Sequence, residues 1–555
     1  GEMTKEELIE KIELQDDQRL FAVAEALRKG AEVEELYKLT KIDRWFLNGI
    51  NNIVKMENRL KTEKISADLL YDAEAMGFIE EEICDLSGAS SEELLYIRNK
   101  NNIFPVYKMV DTCSGEFEAS TPYYYSCYEE EDEDIVSENK KILVIGSGPI
   151  RIGQGIEFDY CCVHGVLGIK EAGYEAVMIN NNPETVSTDF DIADKLYFEP
   201  LYIDDVMNVI KKEKPEGVIV QFGGQTSINI AQKLDERGVN ILGTSFASID
   251  LAEDREKFRS FLNDVNIPSP SGDAVTSVEE AYELVKSLGY PVVVRPSYVI
   301  GGRAMEVVYD KQGLTKYMTE AVQLSNEHPI LVDKYVKGTE IEVDAISDGE
   351  DILIPGIMEH VERTGIHSGD SITIYPPFTL KEETLQKLVD YTKSIAKGLK
   401  IIGLVNIQYV FDGKDIYVIE VNPRASRTVP ILSKVTGVPM VKAAVKTMLG
   451  HKLKDMNYGT GLLKDKNLHE VKVPVFSGEK LADADMYLGP EMKSTGEVLG
   501  VDRDFGKAVY KGFSASGIKI VTEGSLYLSL KDVDKEEGYN IIKKYVDLGF
   551  KISAS

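Results

Sequence analysis

The 555-residue chain carries 63 Lys and Arg against 93 Asp and Glu, a formal net charge of −30, with 43% hydrophobic residues and 19 prolines, the balance of a multidomain globular protein. That excess of acid argues against a nucleic-acid partner, because a phosphate backbone needs a basic face; an anionic substrate has to be met by local arginine clusters. Cys84, Cys113, Cys127, Cys161 and Cys162 form no CxxC pair or disulfide framework, no apolar run reaches spanning length, and the N-terminus has no signal-peptide pattern, so the expectation is a soluble cytoplasmic protein with reduced thiols.

From about residue 4 to 110 the periodicity is helical. Thr40 is a candidate cap with Asp43 three residues on, and Ile42, Trp45, Phe46, Ile50, Ile53 and Val54 recur at helical spacing. The acidic run Glu129–Asp134 repels itself and reads as a solvated linker, with a domain boundary near 130–139. After Lys140 strands alternate with amphipathic helices (Ile142–Ile145, Ala176–Asn180, Gly217–Gln221), predicting a parallel α/β sheet. From about 253 to 450 helices alternate with strand pairs, Val292–Arg295 with Met305–Val308 and Asn406–Phe411 with Ile416–Val421, predicting an α+β layout around a cleft. No second copy of the long motifs occurs. The final stretch, Gly524–Leu530, a helix to Lys544 and Lys551–Ser555, opens a strand–helix–strand unit that cannot bury its own faces, so a domain cut short is expected there.

The loop Gly146-Ser147-Gly148-Pro149-Ile150-Arg151-Ile152-Gly153 follows a strand, but a dinucleotide fingerprint would need glycine where Arg151 stands and an acid where Asn180-Asn181-Asn182 is found. A tight strand-to-helix turn fits better than a dehydrogenase site. Val292 through Val308 joins a β-branched strand to flexible Gly301-Gly302 and a second strand. Its glycines let backbone amides close on a triphosphate while Arg295 and Arg303 neutralise it, although a plain hairpin with surface arginines reads equally well.

Glu420 and Asn422 lie two apart on a predicted strand, so both side chains share a face, where carboxylate and amide oxygens suit a hard cation. Gln408 sits on the preceding strand. A two-residue loop at Gly413-Lys414 puts it opposite Ile419, and a three-residue loop, Gly413-Lys414-Asp415, opposite Glu420; the metal reading requires the longer loop. A polar hairpin satisfied by its own hydrogen bonds is the competing reading. Gly365 through Ser371 can supply backbone groups to a ligand, with His367 equally a turn residue and not assigned proton transfer. Asp333 through Glu340, leaving a strand, suggests a hinge that reads an adenine edge.

Together these segments resemble an ATP-grasp ligase, and more closely the carbamoyl phosphate synthetase large-subunit family. The carrying stretches are Arg151 through Tyr160, Asn182 through Asp189, Arg295 through Met305, Met358-Glu359-His360, His367 through Ser371 and Glu420 through Pro430; Thr40 through Leu47 resembles the family's oligomerisation domain. The resemblance implies a helical oligomerisation domain (1–128), an acidic linker (129–139), a pre-ATP-grasp α/β domain (140–252), an ATP-grasp domain (253–450), its C-terminal extension (451–520) and the start of an α/β allosteric domain (521–555). It corresponds to the second, carbamate-phosphorylating half of that subunit, without the bicarbonate-phosphorylating half and without most of the effector-binding segment.

Carried over by position, the resemblance implies that Arg255, Arg295, Lys334, Val336, Glu340, Gly365, Ile366, His367, Ser368, Gln408 and Glu420 bind ATP, Lys334 at a backbone-contact position. It gives Gln408, Glu420 and Asn422 to Mg²⁺ or Mn²⁺, Glu340, His360, Glu362 and Ser371 to K⁺, and Arg303, Arg424 and Arg427 to carbamate and the transferred phosphoryl. Gly301-Gly302 is the candidate lid. Implied partners are a glutamine amidotransferase small subunit, the other synthetase half and further copies of the chain, with the product feeding pyrimidine and arginine biosynthesis. The rival readings are another ATP-grasp carboxylate–amine ligase, which would differ only beside Arg424 and Arg427, and a non-catalytic nucleotide-binding assembly module.

Overall fold

The computed structural model describes residues 3–117, 120–150, 155–296, 305–324, 330–478, 487–530 and 535–554, and the chain divides into two compact units. The first comprises residues 1–143, 177–183 and 193–216. Among its described residues seven helices run from Lys5–Glu13 to Ser91–Asn101, burying Leu36, Leu47 and Val54 in one cluster and Leu60, Leu70 and Leu94 in another. The expected helical stretch therefore ends at Asn101, before strand β1 (Val106–Met109). Thr40 is not the cap: it ends the Val33–Thr40 helix and donates its hydroxyl to the Leu36 carbonyl, while Asp43 caps Arg44–Thr62 by accepting the Trp45 N–H at 2.8 Å. Asp43 stands directly before the helix, where its short carboxylate reaches an orphan N–H.

Strand β2 (Tyr123–Cys127) pairs antiparallel with β1 and parallel with β5 (Lys195–Phe198); β3 (Lys141–Ile145) and β4 (Glu175–Asn180) are fully or nearly fully buried, as their continuous apolar runs require of parallel strands. The acidic run is exposed over residues 129–133, as a solvated segment should be, but its end is tied down. Asp134 is buried, accepting the Lys195 ammonium at 2.5 Å and the Tyr197 hydroxyl, with Glu213 taking the other side of Lys195 at 2.7 Å. Asp132 accepts the Tyr107 N–H and pairs with Lys212. Like charges repel only until opposite charges are folded against them, which local composition cannot show.

The second unit holds residues 144–176, 184–192 and 217–555. Strand β6 (Gly217–Ile219) is buried. A four-stranded sheet orders β7 (Gly272–Val275), β10 (Ile330–Lys334), β8 (Val292–Pro296) and β9 (Glu306–Val308), with β8 and β9 antiparallel as expected. The larger sheet runs β15 (Ile416–Asn422), β14 (Ile402–Phe411), β11 (Thr339–Asp348), β12 (Ile352–Arg363), β13 (Thr373–Tyr375), β17 (His469–Val475), β18 (Gly496–Asp502), with β16 (Gly461–Leu462) beside β12. Strands β19 (Ser525–Leu528) and β20 (Lys551–Ala554) pair in parallel around the Lys535–Asp547 helix.

Side-chain alternation divides the faces of the large sheet. Ile341, Val343 and Ala345 of β11 and Val405, Ile407 and Tyr409 of β14 enter one core with Leu388 and Ile395 of the Glu382–Gly398 helix. Glu340, Glu342 and Asp344, and Asn406 and Gln408, are thereby turned to the opposite face. The Thr428–Thr436 helix packs on β12 and the Met440–Met448 helix on β11 and β14.

Candidate active site

Register assembles the polar face. Asn422, Asn406 and Asp344 stand in one row, Glu420, Gln408, Glu342 and Met358 in the next, and His360, Thr373, Lys472 and Leu499 in another.

Gln408 does stand opposite Glu420, but the longer turn is not the reason. Asp412 donates its N–H to the Asp415 carbonyl at 3.2 Å, closing a two-residue loop at Gly413-Lys414, and Phe411, Val410 and Tyr409 pair with Ile416, Tyr417 and Val418. One register shift then leaves Ile419 unpaired, so Gln408, Ile407 and Asn406 pair with Glu420, Val421 and Asn422. The extra residue of a β-bulge does what a third loop residue would have done.

Asn422 donates its amide to Glu420 Oε1 at 2.9 Å and to Asn406 Oδ1 at 3.4 Å, and accepts Arg424 Nη2 at 3.1 Å. The donors Gln408, Glu420 and Asn422 are all oxygen-bearing and fit a hard divalent cation. Among the described residues no group of three or more His, Cys, Asp or Glu is arranged to hold a metal without such amide oxygens.

His360 is buried between two carboxylates, Nδ1 at 3.4 Å from Glu340 Oε2 and Nε2 at 3.5 Å from Glu342 Oε2. Neither ring nitrogen makes an aligned hydrogen bond, so the contact is chiefly charge against charge. Burial pulls its pKa down, but the two carboxylates outweigh it and raise it to about 9; Glu342, against its own burial, is held below its usual range by His360. Glu362 accepts the Ile372 N–H at 2.6 Å, and Ser371 donates to the His367 carbonyl at 3.4 Å.

The Gly365–Ser371 loop is anchored at its start. Glu340 Oε1 accepts the Gly365 N–H at 3.0 Å, and the Tyr335 hydroxyl donates to the Thr364 carbonyl at 2.6 Å. Gly365 has φ 91° and a Cβ there would stand 3.2 Å from both Tyr335 and Val307, so only glycine fits without strain. His367 Nδ1 accepts the Gly369 N–H at 3.0 Å and is pushed down to about 3 by burial, Arg427 and Lys472, so its ring is neutral and serves the turn. Lys472 Nζ, buried, donates to the carbonyls of Ser368 at 3.0 Å and Gly369 at 3.4 Å.

On the smaller sheet Arg295 pairs in register with Leu331, its Nε buried without a hydrogen-bond partner. Lys334 turns its ammonium to the carbonyls of Gly289 and Tyr290 at 3.0 and 3.2 Å, and its N–H donates to the Ser271 carbonyl, so the side chain is occupied. Val336 lies in the connection from β10 to β11, beyond Tyr335. Arg255 pairs with Asp333, as does Arg259 Nη2 at 3.3 Å. Arg303, the Gly301-Gly302 lid and Arg151–Gln154 lie outside the described residues.

Arg424 Nη1 donates to the Ala425 carbonyl at 3.0 Å; Arg427 Nη1 stands 3.4 Å from His367 Nδ1 and 2.6 Å from Met492 Sδ. A Cβ on Gly369 would sit 2.6 Å from Arg427 Nη1, so that glycine makes room for the guanidinium. Sequence reasoning missed Glu342, Asp344, Asn406, Ser426, Thr428, Lys472 and Glu497. The Glu340-x-Glu342-x-Asp344 alternation on an otherwise apolar strand was the available signal for two of them. Burial raises Asp344 further than its hydrogen bonds lower it, and burial carries Glu497 up to about 7.

Three family models match: the carbamoyl phosphate synthase preATP-grasp domain over 138–251, the carbamoyl-phosphate synthase L chain ATP binding domain over 254–456, and the carbamoyl-phosphate synthetase large chain oligomerisation domain over 1–102, together more than half of the chain. All 555 residues align at 67% identity with the carbamoyl phosphate synthase large chain of Clostridium acetobutylicum, of which the chain spans 52%. An N5-carboxyaminoimidazole ribonucleotide synthetase solved as an ADP complex superposes with TM-score 0.52 and 17% identity, covering 69% of this chain and 97% of that one. The same synthetase from Thermus thermophilus gives TM-score 0.51 and 15% identity over 67% and 96%. At such identity these two show the fold alone. Among the described residues no helix is long and apolar enough to cross a membrane.

Proposed function

The chain belongs to the carbamoyl phosphate synthase large-chain family, and on that premise we propose that it phosphorylates carbamate with ATP, giving carbamoyl phosphate and ADP. The observation that carries the reading is the turn after β15: it leaves the strand bearing Glu420 and Asn422 and brings half-buried Arg424 and Arg427 to the polar face of the sheet. A carbamate oxygen attacks the γ-phosphorus in line as the bond to the ADP oxygen breaks. Carbamate is already anionic, so no general base is required, which accords with a neutral His367 committed to its own turn. The work left to the chain is positioning and charge neutralisation.

In this reading Arg424, Arg427 and Arg303 face carbamate and the transferred phosphoryl. Arg255, Arg295, Lys334 and Val336 through their backbone, Glu340, the Gly365–Ser368 loop, Gln408 and Glu420 form the nucleotide site. Gln408, Glu420 and Asn422 hold Mg²⁺ or Mn²⁺, which when bound shields the phosphate oxygens. Glu340, His360, Glu362 and Ser371 would hold K⁺. Closure of Gly301-Gly302 would keep water from carbamate, which hydrolyses readily. We further propose a cytoplasmic assembly with a glutamine amidotransferase small subunit, the bicarbonate-phosphorylating half and other copies of the chain, its product feeding pyrimidine and arginine biosynthesis.

The test is ATP formation from ADP and carbamoyl phosphate, with and without Mg²⁺, beside Glu420→Ala. Metal-dependent ATP that disappears in the variant supports the reading. No ATP from folded protein that binds ADP would overturn activity of this chain by itself.

A further inference from the structure

Asp344 lies mid-strand in β11, 1% exposed, and among the described residues no lysine, arginine or histidine pairs with it. Its partners are instead three uncharged donors. Oδ1 accepts the Ser426 hydroxyl at 2.7 Å and the Asn406 amide at 3.2 Å, and Oδ2 accepts the Thr428 hydroxyl. Ser426 and Thr428 are the residues immediately before and after Arg427. The two hydroxyls also lie 2.9 Å from each other, and the Thr428 N–H donates to Ser426 Oγ at 3.2 Å.

We propose that Asp344 is a positioning residue for Arg427, its two carboxylate oxygens gripping the chain on either side of that arginine. The inference rests on the reading of Arg427 as substrate-facing. A buried carboxylate without a cation costs stability, and three hydrogen bonds offset part of that cost. An amide at the same place keeps one acceptor oxygen and meets the other hydroxyl as a donor, so the bond to one flank must reverse direction and that hydroxyl must turn. The grip fixes the backbone from which the guanidinium reaches towards His367 and Met492. The far side of the turn is fixed separately, since the Ala425 N–H donates to the Gln221 carbonyl at 2.8 Å and Gln221 Nε2 to the Pro423 carbonyl at 2.9 Å. Loss of Asp344 therefore frees Arg427 without releasing the start of the turn.

The test compares Asp344→Asn, the paired change Ser426→Ala with Thr428→Val, Arg427→Ala, and Asp344→Asn combined with Arg427→Ala, in ATP formation from ADP and carbamoyl phosphate. Asp344→Asn and the hydroxyl pair are each expected to lower kcat by about 10²-fold, the scale of an ångström misplacement, with KM for ADP changed less than about threefold. Against Arg427→Ala, Asp344→Asn is expected to add nothing, because residues acting through one another are not additive. An additive loss, or an unchanged kcat with a raised KM for ADP, overturns the proposal. If the parent chain makes no ATP, the functional reading has failed and the grip is read from amide hydrogen exchange of residues 426–429: faster exchange in Asp344→Asn supports it, unchanged exchange overturns it.

Discussion

Gln408 stands opposite Glu420 because Ile419, between them and the turn, has no partner on β14. The unpaired residue reverses the alternation of β15. Ile416 and Val418 face the core before it and Val421 after it, which leaves Glu420 and Asn422 on the polar face.

Deleting Ile419 removes only the unpaired residue, so Val418, Glu420 and Val421 continue in plain alternation and Gln408 keeps its partner. The expected outcome is metal-dependent ATP formation within about tenfold of the parent. Deleting Val421 moves Asn422 to the core side, and ATP formation should vanish. Loss of activity in a folded Ile419 deletion would show that the bulge does more than set register.

His360 gives a pH signature of stability. Its pKa is raised in the folded chain from 6.5 to about 9, so the stabilisation from Glu340 and Glu342 is fully present below pH 6.5 and is lost as pH rises through about 9. Urea midpoints measured from pH 6 to pH 10 should fall across that window in the parent and lack that fall in His360→Gln. A parallel decline in both proteins would assign the effect to other groups.

Asp134 and Glu130 belong to one acidic run but should behave oppositely. Asp134→Ala leaves Lys195 with Glu213 as its remaining carboxylate and the Tyr197 hydroxyl with one acceptor fewer, a loss of about 1–3 kcal/mol. Glu130→Ala, at an exposed position, should stay within about 0.5 kcal/mol. Urea unfolding followed by Trp45, the single tryptophan, reads both. Equal small effects would restore the solvated-linker reading of the run.

Local pattern was sufficient for many of the elements and for the family. The helical periodicity of the first hundred residues, the apolar runs of β3 and β4 and the two antiparallel pairs were legible because each depends on neighbours a few residues away. The face shared by Glu420 and Asn422 was legible for the same reason. The bulge left a trace, two adjacent apolar residues at Val418-Ile419 where alternation calls for one, yet a longer turn explains the face of Glu420 equally well.

The amino-acid sequence by itself determined what this chain is built from: its strands and helices, the acid–apolar alternation of β11, and the motif wording that marks a carbamoyl phosphate synthase large chain. Only the tertiary structure decided which charges meet. Asp344 reaches Ser426 and Thr428 across 82 and 84 residues, and Lys472 reaches Ser368 across 104. Those meetings follow from strand order and register, which are set by how apolar faces pack over a common core, and the polar partners on the opposite face are carried into place by that packing.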